Sequence, residues 1–182
     1  MSTTRWAGWR RWTTGRRRGP RTARRADRRV SLDRANCRRA SVSIAGYCLM
    51  GNHVHGIAAP RDATGLAKAF GRTHCDYARW LDLRRGEAGH VWQNRCYSCL
   101  LDERHAWAAL RYVELNPVRA GLEERAIDWP LSSAAAHVTG IEPTGILEDA
   151  GWESGWKRGE WRDMLEQGVA DEPLIERIRE AI

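Results

Sequence analysis

Two histidines two residues apart, His53 and His55, are the first candidates for chemistry in this chain. They fall in a β-prone run, and side chains at i and i+2 of a strand share one face, about 7 Å apart at the backbone. Their imidazoles can therefore converge on one divalent ion, which also needs a third ligand and open positions for substrate or water. Taken alone, such a pair is more often a surface or core feature than a metal site.

Tyr112 and Asn116 are four residues apart in a predicted helix, so they are neighbours on one helix face. An amide oxygen of Asn116 at the metal would bring the Tyr112 phenol beside it. Phenols ionise with a pKa of about 10, and a nearby cation favours the more nucleophilic phenolate. Attack on a phosphodiester would then give a covalent phosphotyrosine, from which a later hydroxyl can rejoin the strand. A tyrosine in a helix that faces a sheet more often has only a packing role.

The elements that must position the histidines can be predicted from the residue pattern. The segments 47–50 and 53–57 are rich in β-forming residues and are separated by Gly51-Asn52, which predicts a β-hairpin. An apolar stripe at helical spacing then predicts a helix that starts from a cap at Asp62 or Thr64 and runs to about residue 84.

The elements around Tyr112 follow from similar signals. Residues 91–101 predict one strand or a bent pair, and Asp102 is a suitable cap for the helix that carries Tyr112. Pro117 removes a backbone donor and disfavours helix at the preceding residue, so we expect this helix to end at Asn116. Further helices are predicted at 132–137, 161–166 and 172–182.

The charge of +7 is unevenly distributed along the 182 residues. Residues 1–40 contain 14 arginines against Asp27 and Asp33, whereas residues 41–182 contain 16 basic and 21 acidic side chains. The first segment has almost no aliphatic residues before Val30 and no helical or strand period, which predicts disorder. Its Arg, Trp, Gly and Pro bias is typical of a GC-rich gene translated out of frame or from a wrong start, with a basic DNA-binding arm as the alternative.

Five cysteines, an odd number, and no recognisable signal peptide predict a reducing cytosol, and no apolar run is long enough for a membrane span. Cys96 and Cys99 suggest half a zinc site with the histidine pair, but strand spacing puts them on opposite faces. His105 lies seven residues before Tyr112 on the same helix face and is a further candidate for a proton donor or ligand, with a solvated histidine at the helix start as the alternative.

Three ordered motifs carry a family resemblance that spans about residues 41–137. They are residues 47–55 (YCLMGNHVH), 89–98 (GHVWQNRCYS) and 111–122 (RYVELNPVRAGL). In these motifs the chain resembles the REP-associated tyrosine transposases, which are single-tyrosine transposases of the HUH superfamily.

The resemblance implies an α+β fold with a ferredoxin-like antiparallel sheet and helices packed on one face. It places His53 and His55 on the metal pair, Tyr112 on the nucleophile and Asn116 on the helical ligand of a Mg²⁺ or Mn²⁺ ion. It also implies a homodimer that binds single-stranded or hairpin DNA and cleaves and rejoins it, in the bacterial cytoplasm at the nucleoid. Basic residues near the motifs are candidates for phosphate contact: Lys68, Arg72, Arg95 and Arg119.

The chain departs from the family pattern at its start, because the family's first strand and the helix of about 20 residues after it are not recognisable in residues 1–40. We therefore expect a fold that lacks its first strand, with residues 1–40 disordered, a transposase domain at 41–137 and a helical extension at 138–182. A missing strand would leave unpaired backbone groups beside the site. Two alternatives to an active transposase stay open: a silent hairpin-DNA binder and a degraded transposase remnant.

Overall fold

The computed structural model describes residues 5–8, 20–86, 88–92, 96–147 and 157–168. Within them the chain forms, in order, β1 (Arg5–Gly8), α1 (Pro20–Arg39), β2 (Val42–Leu49), β3 (Val54–Pro60), α2 (Gly65–Arg85), β4 (Tyr97–Leu100), α3 (Glu103–Arg119), a 3-10 turn (Ala126–Asp128), α4 (Ala134–Thr139) and α5 (Arg158–Glu166). Four antiparallel strands pair in the order β2-β3-β1-β4. The predicted α+β class and antiparallel sheet are confirmed.

Residues 5–8 and 20–39 form β1 and α1, which contradicts the expectation of a missing first strand and, for these residues, of disorder; residues 1–4 and 9–19 lie outside the described part of the chain. β1 lies between β3 and β4, where Gly8 pairs with His55 on one side and with Tyr97 on the other. α1 is a 20-residue helix that contributes Ala26 and Val30 to the core. The backbone groups beside the histidine strand therefore have strand partners. The out-of-frame origin of this segment is a matter of codons and stays a prediction.

Helices lie on both faces of the sheet, whereas the sequence predicted them on one. Side chains alternate along a strand, and so Leu49 and Ala58 pack with α1 and α2, while Cys48 and Ile57 pack with α3. α4 and α5 join the α3 side, whereas Ile146, between them, packs into the core on the α1–α2 side. The sheet is thus the middle layer between two separate apolar cores.

The predicted hairpin is confirmed, and it contains a bulge that the sequence did not indicate. β2 pairs with β3 from Leu49 opposite Val54, but the register shifts between Ile44 and Gly46. A β-carbon on Gly46 would come within 2.1 Å of Leu110 in α3. Glycine at this position therefore allows α3 to approach the sheet closely.

α2 runs antiparallel to α1 and begins where the hairpin ends. Its N-cap is Thr64 and its last turn closes on Gly86 in the left-handed conformation, close to the predicted limits. Asn36 donates a hydrogen bond to the Thr73 hydroxyl at 3.1 Å, which joins the last turn of α1 to the first half of α2. The tight start of α2 packs Gly65 against the carbonyl of Ala40.

The remaining predictions hold in part. Of the strand predicted at 91–101, only Tyr97–Leu100 is a strand; residues 91 and 92 are not, and 93–95 lie outside the described residues. The short helix after Ser132 and the helix around Trp161 are confirmed as α4 and α5. The helix predicted at 172–182 falls outside the described part of the chain. None of the described helices contains an apolar stretch of the length that a bilayer crossing requires.

Candidate active site

The histidine pair lies where the hairpin turns back into the sheet. His53 is the last residue of the turn and His55 is the second residue of β3, and the two ring centroids are 4.7 Å apart with the rings nearly perpendicular. His53 Nδ1 lies 2.7 Å from the Asn52 side-chain oxygen, which can only accept, so the proton of a neutral ring sits on Nδ1. Nε2 is then the unprotonated nitrogen of the His53 ring.

Burial keeps His55 neutral. Only 6% of the surface of His55 is exposed to solvent. Desolvation, helped by the neighbouring His53, lowers the pKa of His55 to about 3. A neutral imidazole is the form that binds a metal.

α3 carries the tyrosine to these rings. The helix starts at the predicted cap, where the Asp102 carboxylate accepts a hydrogen bond from the backbone N–H of His105 at 2.8 Å. Two and a half turns later the ring centroid of Tyr112 is 5.9 Å from that of His55, again nearly perpendicular. The structure therefore brings the Tyr112 phenol ring next to the imidazole pair, as the metal-site hypothesis requires.

The helix does not end at Asn116 as expected but continues through Pro117 to Arg119. Proline removes the N–H that would bond the Val113 carbonyl. The side-chain amide of Asn116 takes over this role, since Nδ2 lies 3.4 Å from the Val113 carbonyl and 2.9 Å from the Tyr112 carbonyl. Because Nδ2 faces these two backbone carbonyls, the side-chain oxygen of Asn116 lies on the side of its amide group away from them.

The basic candidates separate into two groups. The guanidinium of Arg119 lies 5.2 Å from the centroid of the Tyr112 ring and so belongs to the site. Lys68 and Arg72 are exposed in the first half of α2, on the opposite face of the sheet, and Arg72 pairs with Asp76 at 3.1 Å. Their DNA contacts stay a prediction, and Arg95 lies outside the described residues.

The cysteine and His105 alternatives gain no support. Cys96 packs against the core on the α1–α2 side and Cys99 against that on the α3 side, as expected from strand alternation. In the described ranges no group of three or more His, Cys, Asp or Glu side chains could hold a metal. His105 is engaged with its own helix cap, with Nδ1 2.6 Å from the Asp102 carboxylate.

A buried polar network behind the tyrosine was not found from the sequence. Glu114, fully buried, faces away from Tyr112 and accepts hydrogen bonds from the Ser133 hydroxyl at 2.5 Å and from the Trp161 indole at 2.9 Å. His137 Nδ1 lies 2.6 Å from the same carboxylate. These partners come from α4, its N-cap and α5, so the network fixes how α3 is rotated over the sheet.

The chain thus has a four-stranded antiparallel sheet with the histidine pair at the start of β3, faced by the helix that carries Tyr112, in line with the α+β fold that the sequence predicted. Among solved structures, the chain is similar to a REP-associated tyrosine transposase solved bound to a REP hairpin, with a TM-score of 0.56 and 19% sequence identity. The match covers 81% of this chain and 86% of that one. A scan of protein-family models and a search of curated proteins found no match. The likeness shows that the two chains share a fold.

Proposed function

We propose that the protein is a metal-dependent single-tyrosine transposase that cleaves and rejoins single-stranded DNA beside hairpins. The observation that supports this most directly is the meeting of His53, His55 and Tyr112, whose rings form one contiguous group. The similar solved structure holds a hairpin, which supports hairpin DNA as the partner of this chain as well. A homodimer in the bacterial cytoplasm at the nucleoid remains part of the proposal.

The donor set suits a Mg²⁺ or Mn²⁺ ion held by His53, His55 and Asn116. Nε2 of His53 carries a lone pair, His55 is neutral, and the amide oxygen of Asn116 is the atom not used by the helix backbone. A set of two imidazoles and one amide oxygen leaves coordination positions for phosphate oxygens. When bound, the ion would polarise the phosphate and neutralise developing charge.

The side chains of the chain itself then have distinct roles. The Tyr112 hydroxyl attacks phosphorus, a P–O bond to the phenol forms, and the bond to the departing strand breaks with a proton passing to the leaving oxygen. Arg119 lies beside the phenol ring and would contact a phosphate oxygen of the bound strand. Attack by a strand hydroxyl on the phosphotyrosine reverses these steps and restores the Tyr112 phenol.

The test is the formation of a covalent DNA adduct. We expect the full chain with Mn²⁺ or Mg²⁺ to form a denaturation-resistant adduct with members of a library of short hairpins that carry randomised flanking nucleotides. Tyr112→Phe should abolish the adduct because it removes the attacking oxygen. Tyr97→Phe is the matched control, since Tyr97 is a 37% exposed tyrosine on β4. Chelation of the metal should also abolish the adduct.

The other possible results of this experiment distinguish an active transposase from the alternatives. An adduct that survives Tyr112→Phe would refute the assignment of the nucleophile. Binding of hairpins by wild type with no adduct in any metal would favour the silent DNA binder. Sedimentation equilibrium at micromolar concentration tests the dimer independently of catalysis.

A further inference from the structure

Exposed arginines are concentrated where α1 begins and α2 ends. We call Arg24, Arg25, Arg28, Arg84 and Arg85 the terminal arginine patch. All of them except Arg25, which is half-buried, are exposed.

The two halves of the patch meet because α1 and α2 are antiparallel. Gly65 at the start of α2 packs against Ala40 just after α1, and Asn36 in the last turn of α1 bonds to Thr73 in α2. Continued along the two helices, this register brings Arg24 and Arg25 beside Arg84 and Arg85. Arg25 and Arg85 both act on the buried phenol of Tyr77, where their charges oppose the rise in pKa that burial causes. Five cations from two helices thus share one end of the layer, against Asp27 and Asp82 within the same turns.

This end of the helix layer is also the edge of the sheet at which the histidines lie. β3 begins beside the histidine pair and ends at Pro60, and Gly65 at the start of α2 packs against Pro60 and Ala40 at the far edge. From there α2 runs back over about 30 Å, whereas β3 spans only about 23 Å. The last turns of α2 therefore reach the histidine edge, on the opposite face from Tyr112.

The surface between these arginines is partly apolar. Leu83 is 80% exposed, and the guanidinium of Arg84 lies 5.0 Å from the centroid of the half-buried Trp80 ring. Bases of an unpaired strand can contact such surfaces, whereas a duplex presents mainly phosphates. Residues 41–182, which include Arg84 and Arg85, carry more acidic than basic side chains in total, so the patch is not part of a uniform positive field.

We propose that the terminal arginine patch binds single-stranded DNA that continues from the cleaved phosphate around the histidine edge of the sheet. The inference rests on the proposed function and adds the path of the flanking strand. Each phosphate contact of this kind is independent of sequence and contributes to the salt dependence of binding.

The test compares two double variants that each remove two positive charges from the same helix layer. Arg24→Ala/Arg85→Ala removes patch residues, whereas Arg38→Ala/Arg39→Ala removes exposed residues from the last turn of α1, at the opposite end of the layer. Both are made in the Tyr112→Phe background, so that only non-covalent binding is measured. The probes are fluorescent hairpins with a ten-nucleotide 5′ tail, with a ten-nucleotide 3′ tail or with none.

We expect the patch variant to weaken binding of one tailed hairpin about tenfold and to lower its salt slope by about 1.4, because each single-strand contact contributes about 0.7. The tailless hairpin and the control variant should be unaffected. Equal weakening of the tailless hairpin would assign the patch to the duplex stem and overturn the proposal. Equal weakening by both double variants would also overturn it, since bulk charge would explain binding. Thermal unfolding checks that both variants fold, and the absence of binding by wild type would refute the proposed function itself.

Discussion

On the α3 side of the sheet the buried charge is the carboxylate of Glu114, whereas on the α1–α2 side it is the guanidinium of Arg29. Both side chains are fully buried. Glu114 is bonded to residues that lie far away in the sequence, such as Trp161. Arg29 bonds within its own helix to Asp33 at 2.6 Å, and its guanidinium lies 5.0 Å from the centroid of the Trp92 ring.

The comparison shows how differently the two layers are held. Long-range bonds of Glu114 attach α3 to the C-terminal helices, so the rotation that turns Tyr112 to the histidines depends on distant parts of the chain. The bond of Arg29 is local and stabilises α1, and its aromatic contact attaches the segment before β4. The face with the candidate chemistry thus depends on non-local contacts, and the other depends more on each helix itself.

The largest effect is expected from Glu114→Ala. Three buried donors lose their acceptor, and breaking such a network costs about 3–5 kcal/mol of unfolding free energy. Urea unfolding followed by tryptophan fluorescence measures it. Glu124→Ala, at an exposed position shortly after α3, is the control and should change stability by less than about 0.5 kcal/mol. A loss below about 1 kcal/mol for Glu114→Ala would remove the contrast between the faces.

Arg29→Met should lower the free energy of unfolding by about 2–3 kcal/mol at neutral pH, somewhat less than Glu114→Ala. The loss is smaller because burial already raises the pKa of Asp33, so that its carboxyl group can become neutral by keeping its proton. The folded Asp33 then holds a proton that the unfolded one releases, so the loss of stability grows as pH rises above the ordinary pKa of an aspartate toward neutral pH. Urea midpoints across this range measure it. Arg29→Met/Asp33→Leu should recover most of the loss, and a double variant no better than the single would refute the pairing.

The smallest effects compare two glycines. Gly46→Ala should cost about 1–3 kcal/mol, since its β-carbon would overlap Leu110 and α3 must shift. Gly71→Ala in α2 meets no atom within 4 Å and should stabilise by about 0.5–1 kcal/mol through helix propensity. Urea midpoints of both variants are compared with wild type. A loss of stability for Gly46→Ala with a gain for Gly71→Ala would support the close approach of α3 to the sheet. Equal small gains in stability for both variants would contradict it.

Sequence reasoning succeeded where the signal was local. The spacing of His53 and His55, the cap at Asp102 and the spacing of Tyr112 and Asn116 each depend on a few neighbouring residues, and the structure places those residues as expected. The roles of these residues in catalysis remain predictions. The end of α3 was predicted wrongly because the Asn116 side chain supplies the bond that Pro117 lacks.

Sequence reasoning failed where the burial of a residue does not follow from its type. α1 has helical spacing at Ala26, Val30, Asp33 and Cys37, but these buried residues are small or polar, and Arg29 is buried among them. A pattern search for apolar stripes therefore sees only an arginine-rich segment. The partners of Glu114 could not be predicted either, since no local spacing connects α3 with α4 and α5.

The place of β1 in the sheet has a consequence for synthesis. β1 is made first, yet Gly8 pairs with His55 and with Tyr97, which are made much later. At ribosomal rates of roughly 5–20 residues per second, the second neighbour follows on the order of ten seconds after the first strand. The hairpin and both helices of the α1–α2 layer can form in that interval. The histidine strand therefore gains its inner neighbour by insertion of an early segment into a partly formed domain.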